Sequence, residues 1–165
     1  MSDYCVIVTG GAHARFFTLD PVEFPELESG PRLVECGKIF NPEKEIAGRD
    51  LYTDSKMGRG HAPHGGSAHG YDDHRSKHDK EFDRRFARKV LKRASSIAHA
   101  NQARYVVLVA PSNMLRFLRQ ELDIIRKCGM NVHILAKDMA KFPPKKIHDH
   151  LAKVQVLPPH KRPGT

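Results

Sequence analysis

Apolar positions change their period several times along the chain, and each change marks an element. Tyr4–Thr9 is a β-branched run that stops at Gly10-Gly11, and Arg15–Leu19 follows as a second run. A short glycine-containing link between two such runs predicts a hairpin. Asp20–Pro31 is acidic and carries Pro21, Pro25 and Pro31, so it reads as a surface connection. Leu33–Phe40 alternates imperfectly and reads as a third strand. From Asn41 to His78 the periodicity disappears: the stretch holds Gly48, Gly58, Gly60, Gly65, Gly66 and Gly70 and few large apolar residues. A loop of that length inside a compact domain is uncommon and is usually functional or disordered.

Helical spacing then takes over. Phe82, Phe86, Val90, Ala94 and Ile97, with Leu91 and Ala98 beside them, form one apolar stripe, predicting a helix from a cap at or near Asp79 to about Asn101. Its opposite face carries Arg84, Arg85, Arg88, Lys89, Lys92 and Arg93. Arg104–Ala110 contains a nearly all-apolar run of the kind buried on both faces of a sheet. A helix follows to about Cys128, with Ser112 as N-cap and Gly129 at the C-cap position. Asn131–Ala136 is a further strand, and Pro143–Leu151 a final short helix with Ile147 and Leu151 inward. The order β-β-β, long loop, α, β, α, β, α predicts a single α/β domain over residues 1–157, a mixed sheet with flanking helices. Its second-half strands are parallel because helices join them. Residues 158–165 form a basic tail, expected to be mobile.

Composition narrows the class. Of 165 residues, 39% are hydrophobic, enough for one core and a good share of exposed loop. No stretch approaches the roughly 18–20 uncharged apolar residues of a membrane span. Met1-Ser2-Asp3 leads straight into the first strand without a basic region, which does not read as a secretory signal. The three cysteines, at 5, 36 and 128, are far apart and form no Cys-x-x-Cys pair, so they read as reduced thiols in a cytoplasmic protein. Charge is uneven: residues 1–78 hold nine Lys or Arg against twelve Asp or Glu. Residues 79–103 hold seven against three, and residues 104–165 hold twelve against four. A basic second half is the electrostatic footprint of a polyanion binder.

Ala14-Arg15-Phe16-Phe17, Asn41-Pro42-Glu43, Gly48-Arg49-Asp50-Leu51 with Asp54, and Gly58-Arg59 occur in order along the first half. Phe86-Ala87, Val109-Ala110-Pro111 with Leu115 and Leu118-Arg119, and Lys137-Asp138 continue the set. Over about residues 4–153 this set resembles the bacterial host attachment protein family. That family in turn is similar to the central domain of archaeo-eukaryotic class I release factors and their ribosome-rescue relatives. The resemblance implies a ribonuclease-H-like sheet and a long loop that enters the ribosomal peptidyl-transferase centre ahead of a basic helix. It implies ribosomal or transfer RNA as partner, bound through Arg84, Arg85, Arg88, Lys89, Lys92 and Arg93. Gly65 and Gly66 match the two glycines of the release-factor Gly-Gly-Gln by position, and Ser67 stands where Gln would be. Paired glycines let a backbone approach RNA or a bound ester closely, and the amide after them can donate to an oxyanion whatever its side chain. Alternatively, Gly65-Gly66 is only a flexible kink. Rescue relatives without Gly-Gly-Gln bind ribosomes without hydrolysing peptidyl-tRNA, so binding without hydrolysis is expected, and no cofactor.

Other chemistries compete for the same residues. His61, His64, His69, His74 and His78 fall in one loop, and imidazoles at short spacing suit Zn²⁺ or Ni²⁺, so a metal-dependent hydrolase is one alternative. No Cys is near them, and a solvated loop beside RNA competes with that reading. Asp20, Asp50, Asp54 and Asp138 lack a pattern that would bring two cations together and read as turn or cap residues. Ser112 lacks the Gly-x-Ser-x-Gly of a nucleophile elbow, and Gly-Lys-Ser/Thr is missing. Arg15 with Phe16 or Phe17 is a candidate base-stacking pair, although alternation leaves at most one Phe outward. A further alternative is a protein-interaction factor in host association, its basic face meeting an acidic protein partner. Oligomeric state is not legible in the sequence.

Overall fold

A computed structural model describes the backbone of residues 2–44 and 69–164 and the side chains of residues 2–44 and 77–164. The elements are β1 (Tyr4–Thr9), β2 (His13–Asp20), β3 (Arg32–Phe40), α1 (His69–Ala100), β4 (Tyr105–Ala110), α2 (Ser112–Gln120), α3 (Asp123–Arg126), β5 (Asn131–Ala136) and α4 (Pro144–Lys153). Five strands form one mixed sheet in the order β3-β2-β1-β4-β5. β1, β2 and β3 are an antiparallel meander. β1, β4 and β5 run parallel, as expected of strands joined through helices.

Alternation along the strands divides the core in two. Cys5, Ile7, Phe16, Val106 and Leu108 face α1, α2 and α3. Val6, Val8, Phe17, Val107 and Val109 face the other way, onto Ile147 and Leu151 of α4. α1 lies close on the sheet because small residues fill its contact line. Ala87, Ala94 and Ala98 are fully buried between Phe86, Val90 and Leu91, and the Cys5 thiol comes within 4.0 Å of the Ala94 carbonyl. Burial pushes that thiol up to about 12, so it behaves as a small apolar side chain.

Four expectations change. The helix begins at His69 and not near Asp79, so residues 69–78, read above as loop, are helical. Their sequence is polar and offers no stripe for periodicity to detect, yet extending an existing helix is far easier than nucleating one. Ser112 is the first residue of α2 and not its cap; Pro111 occupies the cap position and no side chain caps the helix. The single helix expected to about Cys128 is two, broken after Gln120, although Met114, Leu115, Leu118, Leu122 and Ile125 are all buried as the stripe requires. Gly129, at φ 76°, ends it in the left-handed region where glycine costs least. Finally, the start of the tail is tied down. Lys161 and Gly30 exchange both main-chain hydrogen bonds, at 2.8 and 3.1 Å, and the Pro158 carbonyl accepts one from His148 at 2.8 Å. Composition marks the segment as basic and proline-containing but carries no trace of these main-chain bonds.

Candidate nucleic-acid interface

The buried stripe of α1 fixes what its other side presents. Arg84, Arg88 and Lys92 follow one i, i+4 row and Arg85, Lys89 and Arg93 the next, covering roughly half the circumference. All six are exposed. Glu81 lies 3.8 Å from Arg84 and 3.3 Å from Arg85, with nearly half its own surface open to water. Surface pairs of this kind contribute about 0–1 kcal/mol, so phosphate can displace the carboxylate at little cost. Among the described residues, no carboxylate lies within 4.0 Å of Arg88, Lys89, Lys92 or Arg93. Arg93 leans toward β3, its guanidinium near Gly37, where the absent side chain leaves room.

Beside these rows runs a groove of about 140 Å³ lined by Asn41, Pro42, Phe82, Arg85, Phe86 and Lys89, with one carboxylate, Glu43. Phe82 is half-buried there, and the His78 ring stands 6.2 Å from it. An aromatic face flanked by cations is the arrangement on which bases stack. Sequence periodicity alone assigns Phe82 to the core stripe. The groove depends on the end of β3, about forty residues away in sequence, which periodicity cannot reveal. Lys44 joins the two segments by an ion pair to Asp83 at 3.1 Å. From Asp83 the helix continues back to His69, about 20 Å at 1.5 Å per residue. Lys77, His78, Asp79 and Lys80 along that length are exposed.

Several sequence candidates fall elsewhere. Gly65, Gly66, Ser67, His61 and His64 lie outside the described residues, as do Asp50 and Asp54. His69 and His74 have helical backbone, but their side chains are outside the described set; His78 is exposed. Among the described residues no group of three His, Cys, Asp or Glu is placed to hold a metal ion. Asp138 accepts the Ala140 N–H at 3.4 Å, a turn role as read from sequence.

Arg15 does not form a base-stacking pair with either neighbour. Phe16 and Phe17 are both fully buried, so neither can meet a base. The guanidinium sits 4.9 Å from the Phe17 ring centroid and forks onto the Glu35 carboxylate through two bonds of 3.0 Å. Its remaining terminal nitrogen donates to the carbonyls of Ala140 at 3.2 Å and Phe142 at 2.6 Å. Arg15 therefore clamps the connection between β5 and α4 onto the sheet. The hydrogen bond it donates is the main reason Glu35 stays below the usual carboxylate range, against the desolvation that opposes it.

A family model described as "Protein required for attachment to host cells" matches residues 5–151. No curated protein matches the chain.

Proposed function

The chain belongs to the family of proteins required for attachment to host cells, and on that premise we propose that it is an RNA-binding, ribosome-associated factor resembling the release-factor central domain. The carrying observation is the exposed double row of cations on α1, four of them without a carboxylate partner among the described residues. Arg84, Arg85, Arg88, Lys89, Lys92 and Arg93 neutralise phosphates of ribosomal or transfer RNA. Each contact releases counterions, the main source of sequence-independent affinity. The antiparallel meander leading into parallel strands supports the ribonuclease-H-like resemblance, and the position of Gly65-Gly66 ahead of the basic helix supports the release-factor one. Ser67 at the Gln position supports binding without peptidyl-tRNA hydrolysis. No described helix is long and apolar enough to cross a membrane, and the proposed site of action is the cytoplasm, where ribosomes are.

Sedimentation of the purified protein with ribosomes through a sucrose gradient tests this. Co-migration at low salt, abolished in an R88Q/K89Q/K92Q/R93Q variant, is expected; a protein that stays at the top of the gradient at low salt overturns it. A second reading, a protein-interaction factor in host association, is favoured by Phe24 and Leu27, 53% and 78% exposed on one acidic turn. Host association lost on deletion, without ribosome co-migration, would assign that role instead.

A further inference from the structure

On the α4 side of the sheet, opposite α1, an open cleft of about 470 Å³ is lined by His13, Arg15, Glu35, Lys38, Lys141 and Phe142, among others. Three stretches distant in sequence build it: the start of β2, the second half of β3 and the connection into α4. A register shift at Phe16/Phe17 pairs Glu35 with Phe17 and Lys38 with Arg15. A bulge of this kind puts Glu35 and Lys38, an odd number of residues apart, on one face. His13 pairs with Phe40, and the two rings stand 6.3 Å apart on the same face. Phe40 stands at the margin of the cleft, next to the lining residues His13 and Lys38; it is 49% exposed, and the Lys38 ammonium lies 5.2 Å from its ring centroid. Among the described residues the only carboxylate lining the cleft, Glu35, is held in the Arg15 fork; Lys38, which also acts on Glu35 through space, and Lys141 are exposed and have no carboxylate within 4.0 Å.

We propose that this cleft binds a nucleoside monophosphate unit. The base stacks on the exposed face of Phe40 beside His13, and the phosphate meets the Lys38 and Lys141 ammonium groups. The volume is within the roughly 300–1,000 Å³ of small-ligand sites. Base–aromatic stacking with nearby cations is the usual basis of sequence-tolerant nucleotide capture. Arg15 is a positioning residue here: Glu35 and two carbonyls already engage its guanidinium, and it fixes the wall that carries Lys141. Because α1 lies on the other side of the sheet, this site and the RNA-binding face can fail separately.

A ¹H–¹⁵N NMR titration of the intact chain with 5′-AMP tests the proposal. Saturable shifts at His13, Lys38, Phe40 and Lys141 are expected. K38Q/K141Q and F40A should each weaken binding by about tenfold, as loss of two phosphate contacts or one stacked base implies. R88Q/K92Q should leave AMP affinity unchanged, even if it abolishes ribosome binding. An unstructured hexaribonucleotide distinguishes the source of the nucleotide. Tighter binding than AMP by tenfold or more through the same residues assigns the site to an RNA strand, and equal affinity assigns it to a free nucleotide. Absence of saturable shifts up to about 10 mM AMP, undiminished binding in K38Q/K141Q, or displacement by a glutamate-rich peptide at equal concentration would overturn it.

Discussion

Arg15 carries more of the fold than its neighbours suggest. A guanidinium with a tenth of its side chain in water meets one carboxylate and two main-chain carbonyls, so its removal takes the donor from Glu35 and Phe142 and leaves the Ala140 carbonyl only the His13 ring at 3.3 Å. Arg15→Met is expected to cost about 2 kcal/mol, less than the 3–5 kcal/mol of a fully buried pair because Glu35 keeps a third of its side chain in water. The pH dependence has a definite sign. Glu35 titrates below its ordinary value of 4.5 in the folded chain. The pair therefore contributes fully above about pH 4.5 and is lost as pH falls through the lowered value. Urea midpoints at pH 6 and pH 3 should differ more for the natural chain than for Glu35→Gln; equal differences would show that the pair is not coupled to folding.

Among the elements, the strands and apolar stripes were legible because burial dictates their residue types. Tyr4–Thr9 and Asn131–Ala136 have the expected bounds, and the stripe of α1 is buried from Phe86 onward except at Ile97, which is partly buried. Contacts made by the main chain or by polar segments left no such trace. The first ten residues of α1 are helical without an apolar stripe, and the tail is secured through Lys161 and Gly30 backbone groups. Gly30 marks this join: a Cβ there would stand 2.5 and 2.9 Å from the two methyls of Val22. Gly30→Ala is expected to destabilise by about 1–3 kcal/mol through overpacking, and to loosen the Lys161 bridge. Limited proteolysis followed by intact-mass measurement should show faster loss of the C-terminal residues in the variant. Unchanged cleavage would show that the bridge does not hold them.

For the whole molecule, the basic second half was readable from composition, and the cationic rows on α1 from helical spacing. The cleft beside Phe40 was not, since β2, β3 and the connection into α4 meet only in the folded sheet. Four cations of the double row, those with no carboxylate partner among the described residues, set a scale for binding to single-stranded RNA. At about −0.7 per phosphate, the slope of log K against log salt should be near −3. Lys89→Gln with Lys92→Gln should reduce its magnitude by about 1.4. Fluorescence anisotropy with a labelled oligoribonucleotide reads both. A flat salt dependence would leave the cationic rows without a role in RNA capture.

Among the described residues, the core contacts of α1 begin at Phe86, while its backbone runs on past the Lys44–Asp83 contact to His69. Mechanically the stretch from Asp83 to Ala98 is the clamp of a longer rod. A tilt of a few degrees at the clamp leaves the cations near it almost still but displaces the tip at His69 by more than an ångström. Grip and reach are thus distributed along one rod, and the two can be tuned independently, by repacking the clamp or by shortening the helix ahead of Asp83.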